Sequence, residues 1–531
     1  MKAFDSCGNF LLDKEGSEVR SIAVRAAGVT VFASGVAFAV QIIATIVLGR
    51  LLLPSDFGVV TMVTTFSLLL TSFGLNGFTE AVIQAEEINH RLASNLFWIN
   101  IGVGLLLTLG FASAGSALAR FFHEPRVASA SVGISASIFL TSAAVLHLAL
   151  LKRAMLFSHV CLIDIIAKVV QVCFFIVLAA AGWGYWALVA GIIAYYLVIS
   201  VGAWRLCQWV PGLPHRAYGT ASLVRVATNV YGHFIVNYAG LNTDNLLVGW
   251  RFHAEALGFY KRAFDLFVLP ANQLLSPVGG VAMSALSKFR RDPVQFRRHF
   301  LRAISIFAFL GMAISGDLTL VGKDMIRILL GARWDASGRI FTFFGPGIGV
   351  MLIYGTHGWI HVSIGKAERW FRWGVIELVV TVSLFLLCLR WGPVGIAVAW
   401  SASFWILILP ALWYAGRPIQ LGILTTLSAI WKYIVASLVA GVFSAVIVSR
   451  IPSLSALSGV FGAASRLVIV SSLFGALYLI LVIILHQGPA PIYQLARLSR
   501  DMLPPGWLNK LSGTAASDDA VLEFVRQARA E

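Results

Sequence analysis

Polar side chains recur along one stretch near the middle of an otherwise apolar chain. The segment NYAGLNTDNLLVGW, residues 237 to 250, contains Asn237, Asp244 and Asn245, and Asn229 and His233 stand upstream of it. Positions 229, 233, 237 and 244 are spaced by four, four and seven residues, so they share one face of a helix. Ionisable groups inside a membrane usually face a water-filled cavity or a partner helix. We predict a hydrophilic path along this face, with interhelical hydrogen bonds as the alternative.

Other ionisable residues lie within apolar runs and are candidates for ion coupling or for structural pairing. Asp164 and Lys168 are four residues apart, which is the spacing of an ion pair on one helix. Lys261, Arg262 and Asp265 form a second small cluster. Two more positions complete the set: Arg225, which precedes the polar face, and Glu377, which sits inside a later apolar run.

The composition places most of the chain in a lipid bilayer. Of 531 residues 59% are hydrophobic and 12% charged, whereas soluble domains are about a quarter charged. A membrane-spanning helix needs roughly 20 apolar residues, and about fourteen such runs can be read along the chain. They are long and lack the alternation of a membrane barrel. The predicted fold class is therefore an all-α polytopic membrane protein with about 14 transmembrane helices.

No sequence motif indicates catalysis or a bound cofactor. The nucleotide-binding pattern GxxxxGK[ST] and the hydrolase patterns HExxH and GxSxG are absent. The five cysteines are scattered without a CxxC pair, so neither a disulfide framework nor a metal site is predicted. We expect no catalytic residue, no metal and no cofactor, and a transporter rather than an enzyme.

The positive charge has an explanation that does not require nucleic acid. The formal net charge is +16, and Lys and Arg concentrate in alternate connections and in both tails. Cytoplasmic loops of membrane proteins carry this excess. We therefore predict that both termini are cytoplasmic and that the basic residues contact the anionic headgroups of the bilayer.

The chain contains an internal repeat. VLGRLLLPSDFGVV (47 to 60) aligns with LVGWRFHAEALGFY (247 to 260), so that Gly49 and Gly58 match Gly249 and Gly258 at an offset of 200. FFHEPRVAS resembles LLGARWDAS, and GWGYWALVA resembles RWGPVGIAV, both at an offset of 208. Two six-helix lobes that enter the membrane in the same direction would produce this pattern.

The repeat divides the chain into six parts. They are a cytoplasmic N-terminal segment (1–25), an N-lobe of helices 1 to 6 (26–204), a cytoplasmic inter-lobe linker (205–222), a C-lobe of helices 7 to 12 (223–415), helices 13 and 14 (416–488) and a cytoplasmic tail (489–531).

Three short stretches of the sequence resemble a known family. LLLPSDFGVVTMV, NYAGLNTDNLLVGW and ALGFYKRAFDLFVLP are similar to the polysaccharide transporters of the multidrug/oligosaccharidyl-lipid/polysaccharide exporter superfamily. The resemblance implies a bacterial inner-membrane flippase whose two lobes surround a central cavity. Its substrate would be an oligosaccharide linked through diphosphate to undecaprenol, moved by alternating access. The chain departs from its relatives at Leu241, where they often have an arginine, and at Trp250, which separates Gly249 from Arg251.

The resemblance assigns the polar residues to a substrate cavity. Arg262, Arg225 or Arg25 would hold the diphosphate. The glycan path would be lined by Asn237, Asp244, Asn245 and Tyr260. The implied partners are the lipid-linked oligosaccharide, the bilayer and the polysaccharide polymerase and export machinery. The alternatives are a small-solute or multidrug antiporter of the same superfamily, a flippase for the peptidoglycan precursor, and a membrane enzyme that polymerises or transfers lipid-linked glycans.

Overall fold

The computed structural model describes residues 4–5, 10, 35–36, 38–85, 87–215, 220–451 and 459–494. Within these ranges it does not describe the side chains of 76, 229, 233, 236, 237, 276, 277, 281 and 367. The predictions for Arg25 and for the side chain of Asn237 therefore lie outside the described residues.

The described chain is helical almost throughout. The helix Thr220–Lys288, called α8, is interrupted at His253, whose φ of 66° lies in the left-handed region. We call its two parts α8a (220–252) and α8b (254–288). Short 3-10 turns occur at Ala332–Trp334, Leu389–Trp391 and Arg417–Ile419, and a π-helical turn, Phe73–Phe78, joins α2 to α3. The helices are α1 Phe38–Leu51, α2 Pro54–Ser72, α3 Thr79–Gln84, α4 His90–Phe122, α5 Arg126–Arg153, α6 Phe157–Ala180, α7 Tyr185–Cys207, α8 Thr220–Lys288, α9 Pro293–Leu330, α10 Asp335–Gly355, α11 His357–Ser363, α12 Ala367–Cys388, α13 Gly392–Gly416, α14 Ile423–Ser449 and α15 Gly459–His486.

Eleven helical stretches of the described residues are long and apolar enough to cross a membrane. Two of them, Tyr238–Lys288 and Glu368–Ile419, have 51 and 52 residues, and about 20 residues suffice for one crossing. The break at His253 divides the first, and Gly392, with a φ of 74°, divides the second. With each counted as two crossings, and with the shorter α1 added, the helices correspond to the fourteen predicted spans. The predicted fold class is confirmed.

The helices pack as two groups with two further helices at one side. In the N-lobe α4 packs on α5, and α6 and α7 pack on each other. In the C-lobe α10 lies between α9 and α13, and α12 packs on α13. Helices α14 and α15 both contact α9. Tyr478 of α15 donates a hydrogen bond of 2.7 Å to the carbonyl of Phe309, and Arg466 forms an ion pair with Asp324. The last two helices are thereby attached to the C-lobe.

The lobes meet where α2 crosses α8b, and the contact is reciprocal. A Cβ atom on Gly58 would lie 1.7 Å from the carbonyl oxygen of Ala254, and one on Gly258 would lie 1.8 Å from that of Pro54. Gly58 and Gly258 are 200 positions apart, and so are the residues that they contact, Pro54 and Ala254; this is the offset of the sequence repeat. Small residues allow helix backbones to approach this closely in a membrane. A contact in which each half presents the same patch to the other has two-fold symmetry.

A second pair of glycines repeats the arrangement. A Cβ on Gly49 would lie 2.7 Å from the side chain of Leu330, and one on Gly249 would lie 3.0 Å from the ring of Phe122. Leu330 and Phe122 correspond to each other at the offset of 208. The two lobes are therefore structural repeats related by an axis along the membrane normal. We call the end of the molecule formed by residues 49–58 and 249–258 the closed end.

Candidate functional site

A cavity of about 410 Å³ extends from the closed end along α2. It reaches from Phe57 to Thr71, a distance of roughly 20 Å along a helix. Most of its wall belongs to N-lobe helices, and α8b of the C-lobe supplies the remainder through Lys261, Arg262 and Asp265. Its volume falls in the range of sites for small molecules, about 300 to 1,000 Å³. A ligand in this cavity would contact both lobes at once.

Arg262 reaches from the C-lobe onto the N-lobe. Its guanidinium carbon lies 4.0 Å from the centre of the Phe57 ring, and its Nη1 lies 3.4 Å from Oδ2 of Asp265. Stacking on an aromatic face fixes the plane of the guanidinium group. A fixed planar fork is suited to bidentate recognition of phosphate or carboxylate oxygens. Arg262, predicted from the sequence as a cavity residue, does line the cavity.

The N-lobe part of the cavity wall carries the pair predicted from its spacing of four residues. Nζ of Lys168 lies 2.7 Å from Oδ2 of Asp164, and the hydroxyl of Tyr195 donates a 2.8 Å hydrogen bond to Oδ1 of the same carboxylate. Lys168 and Tyr195 both line the cavity. Lys261 is paired in the same way with Asp265, at 2.9 Å. Three cations are therefore balanced by two carboxylates, which leaves this part of the cavity with an excess positive charge.

Asp244 is placed differently from the prediction. Its side chain is 0% exposed and accepts hydrogen bonds from the Tyr260 hydroxyl at 2.6 Å and from Nε1 of Trp400 at 3.0 Å. The backbone N–H of Asn245 donates to its other oxygen at 2.7 Å. Asp244, Asn245 and Tyr260 thus lie in the C-lobe core in this structure and not on the cavity wall. Helical spacing excludes lipid from this face, but it does not distinguish a wet cavity from a neighbouring helix with matching donors.

We expect the alanine variant of Asp244 to be destabilised. It leaves the buried Tyr260 hydroxyl and the Trp400 indole without an acceptor, and each unsatisfied buried group costs about 1–3 kcal/mol. Thermal unfolding of the purified protein in detergent should show a lower midpoint. Thr243→Ala is the matched control, because that neighbouring hydroxyl is exposed and donates only to its own helix. An Asp244→Ala midpoint equal to that of Thr243→Ala would contradict the structural role.

The remaining predicted residues lie apart from the main cavity. Arg225 is exposed on the second turn of α8a. Glu377 lines a separate C-lobe cavity of about 270 Å³ together with Tyr354. The Tyr354 hydroxyl accepts a 2.9 Å hydrogen bond from Nε1 of Trp373 and donates to Glu377. Leu241, at the position where the family often has arginine, lines this second cavity and is 51% exposed.

A row of hydroxyl residues on α2 was not predicted from the sequence. Thr61, Thr64, Ser67 and Thr71 all line the main cavity. Their spacing of three, three and four residues is helical and could have been read from the sequence. Threonine and serine are frequent at helix packing interfaces in membranes, so their presence in an apolar run did not stand out.

Two tyrosines of α8a that contact α2 were also not predicted from the sequence. The hydroxyls of Tyr231 and Tyr238 on α8a donate hydrogen bonds of 2.8 Å to the backbone carbonyls of Leu69 and Thr65 on α2. The donors are seven residues apart and the acceptors four, so the two helices run side by side over this length. This second contact between the lobes covers the part of α2 beyond the glycine crossing.

Polar contacts reinforce the closed end. Nε1 of Trp334, from the C-lobe, donates a 2.6 Å hydrogen bond to the carbonyl of Gly49, and its ring meets Phe57 edge to face at 5.5 Å. At the start of α5, Arg126 donates to both oxygens of Glu124 and lies 3.9 Å from Asp56. The hydrogen bond from Arg126 lowers the pKa of the Glu124 carboxyl. The closed end is thus joined by both backbone packing and directed hydrogen bonds.

These features define a class of protein. Two like-oriented helical lobes, joined at a glycine crossing and enclosing a charged cavity within the membrane, form the architecture of a membrane transporter. Residues 47–339, more than half of the chain, match the polysaccharide biosynthesis protein family. The chain belongs to this family.

Individual relatives and a solved structure agree with this assignment. The chain is 21% identical over 379 residues to the succinoglycan biosynthesis transport protein ExoT of Rhizobium meliloti (strain 1021), covering 71% of this chain and 76% of ExoT. It is 22% identical over 296 residues to the lipopolysaccharide biosynthesis protein WzxC of Escherichia coli (strain K12), covering 55% of this chain and 59% of that relative. The lipid II flippase MurJ in an inward closed conformation superposes with a TM-score of 0.68 at 15% identity, over 87% of this chain and 99% of MurJ. The last similarity shows the fold.

Proposed function

We propose that this protein is a flippase that carries undecaprenyl-diphosphate-linked oligosaccharide units across the bacterial inner membrane for surface polysaccharide synthesis. The observation that carries the proposal is that Lys168 of the N-lobe and Lys261 and Arg262 of the C-lobe line one cavity. A diphosphate is highly charged, and inside a membrane it requires cations at close range. The family membership and the flippase-like fold support the same conclusion.

The ion pairs suggest how the cavity receives its substrate. Without substrate, Asp164 and Asp265 hold the cations in position and limit the cost of burying them. A diphosphate competes with these carboxylates, and Arg262 offers it a fork already oriented by Phe57. The polyprenyl chain remains in the lipid between the lobes. Rocking of the lobes about the glycine crossing then exposes the headgroup on the other side of the membrane.

The predicted topology gives this motion a direction. With both termini in the cytoplasm, the closed end faces the periplasm, and opening it releases the glycan there. Arg225 and Arg25 precede membrane spans on the cytoplasmic side in this topology, and we assign them to capture of the anionic headgroup. Asn237 lies on the face of α8a predicted to border the glycan path. The polysaccharide polymerase and export machinery would take up the released substrate.

We expect Glu377 to participate in ion coupling. It is the carboxylate of the second cavity and already receives a hydrogen bond from Tyr354. Intramembrane carboxylates often take up a proton or a cation during transport. Glu377→Gln should therefore transport slowly and respond weakly to an imposed proton or sodium gradient, measured in proteoliposomes. Glu368→Gln, which changes an exposed carboxylate on the same helix, should behave as wild type. An unchanged gradient response in Glu377→Gln would assign the group a structural role only.

Deletion of the gene tests the function. The proposal predicts that undecaprenyl-linked oligosaccharide accumulates on the cytoplasmic leaflet and that surface polysaccharide is lost. Loss of drug resistance with normal polysaccharide would favour the antiporter. Purified protein that lengthens lipid-linked glycans would favour the enzyme. Lethality on depletion would favour a flippase for the peptidoglycan precursor.

A further inference from the structure

Several hydroxyl groups of the cavity donate hydrogen bonds back to their own helices. On α2, Thr61 donates its proton to the carbonyl of Phe57 at 2.8 Å, and Thr64 donates to that of Val60 at 2.8 Å. Thr71 donates to the carbonyl of Leu68 at 3.1 Å. Hydroxyls in helices commonly bond back to the preceding turn in this way. The protons of Thr61 and Thr64 are then directed into their own helix, and their oxygens present lone pairs to the cavity, whereas Thr71 is also hydrogen-bonded to Tyr196.

Hydroxyls on the neighbouring helices follow the same rule. Thr45 of α1 donates to the carbonyl of Gln41 at 2.8 Å, and Ser137 of α5 donates to that of Ile134 at 2.6 Å. Tyr195 donates to the carboxylate of Asp164. All three residues line the cavity. These hydroxyls of α1, α2 and α5 therefore offer hydrogen-bond acceptors to the cavity, and the groups of a ligand that contact them must supply the donors.

Arg262 marks one end of the acceptor row on α2. Its guanidinium group lies on the ring of Phe57, and the row begins one turn further on, at Thr61, and runs to Thr71. Ten residues of helix span about 15 Å, which is longer than one sugar ring. A diphosphate bound at the cations would leave the first sugars of its glycan beside this row.

On the basis of the proposed function, we infer that the sugars next to the diphosphate are uncharged and rich in free hydroxyl groups. A sugar hydroxyl can donate to the threonine oxygens, whereas a carboxylate, phosphate or sulfate on the sugar has no proton to donate and would face lone pairs. The three cations offer no compensation, because the two aspartates and a bound diphosphate together already carry more negative charge than the cations can balance. Acidic sugars are therefore excluded from these first positions, although they can stand further along the glycan.

Binding of two defined glycolipids tests this inference. The purified full-length protein in nanodiscs is titrated with a polyprenyl-diphosphate disaccharide of neutral hexoses, and with the same lipid carrying a uronic acid as its first sugar. We expect the neutral compound to bind at least about tenfold more tightly, a difference of about 1.4 kcal/mol. Thr64→Val keeps the shape of the side chain but removes the acceptor, and should weaken binding of the neutral compound several-fold.

The chain provides a matched control at the next position. Thr65 also donates back to its helix, at 2.8 Å to the carbonyl of Thr61, but it does not line the cavity. Thr65→Val should bind both compounds as wild type does. Equal or tighter binding of the acidic compound, or equal effects of the two valine variants, would overturn the inference while leaving the flippase proposal intact. Failure of the folded wild-type protein to bind either compound would overturn both.

Discussion

Alanine at Gly58 or at Gly258 is expected to stop transport while each lobe remains folded. The added Cβ would lie 1.7 or 1.8 Å from a backbone carbonyl oxygen of the other lobe, so no change of rotamer can relieve the overlap. The overlap exists only where α2 and α8b cross. It therefore opposes the conformation with this end closed and leaves other conformations unaffected.

The size of the effect follows from the cost of overpacking. Inserting one methyl group into a packed interior costs about 1–3 kcal/mol, which shifts a ratio of two conformations by about 5- to 150-fold. Because the overlap is with backbone atoms, we expect the energetic cost of these variants to lie at the upper end of this range. Because the two contacts are reciprocal, Gly58→Ala and Gly258→Ala should give the same phenotype.

The loss of transport is measured as the amount of surface polysaccharide at matched expression of the variants. The separation of the lobes is measured with spin labels placed on either side of the closed end. Gly280→Ala is the control on α8b, because nothing lies within 4 Å of a Cβ at that position. Normal polysaccharide in Gly58→Ala, or equal defects in Gly280→Ala and Gly258→Ala, would contradict the role of the crossing.

Replacement of Arg262 is expected to abolish binding of the lipid-linked substrate. This residue combines a position on the cavity wall, a stacked orientation on Phe57 and an origin in the opposite lobe. Removing one partner of a buried charged contact costs about 2–5 kcal/mol. Arg262→Ala should therefore bind polyprenyl-diphosphate glycan at least about 30-fold more weakly, since each 1.4 kcal/mol is a factor of ten.

The contributions of the charge and of the geometry of Arg262 to substrate binding can be tested separately. Arg262→Lys keeps the charge but loses the planar fork and the stacking, so it should recover only part of the affinity. Arg251→Ala removes an exposed arginine of the same helix that rests on Phe252, and should bind normally. Equal affinity of Arg262→Ala and Arg251→Ala would remove Arg262 from the substrate site.

The repeat could be predicted because its signal is carried by short stretches of the sequence. Each copy carries two glycines nine residues apart, and the copies keep the same offset. Close approach of two backbones requires glycine whatever surrounds it. The sequence therefore indicated which residues are equivalent, and the structure added that each glycine of the crossing contacts the other copy.

The position of Asp244 could not be predicted, because its partners come from distant parts of the chain. Tyr260 follows it by 16 residues, but Trp400 follows it by 156. Nothing in the spacing of the α8a face indicates that an indole of α13 will reach it. The same limitation applies to the cavity cations. Lys168 and Arg262 line the same cavity only because the two lobes pack together.

The structure also changes how the departure from the family pattern is understood. Leu241 lies in the second cavity, away from the cationic wall. Lys168 and Lys261 line the same cavity as Arg262 and add positive charge to it. The main cavity therefore has its cations without an arginine at position 241, and we expect this arrangement to be sufficient for a diphosphate.

Leaflet accessibility in proteoliposomes tests the central claim most directly. Fluorescent polyprenyl-diphosphate oligosaccharide is placed in the inner leaflet of vesicles that contain the purified protein, and its arrival in the outer leaflet is followed by quenching with a membrane-impermeant reagent. The account predicts protein-dependent arrival with wild type and none with Gly58→Ala or Arg262→Ala. Arrival at the same rate with both variants as with wild type would contradict it.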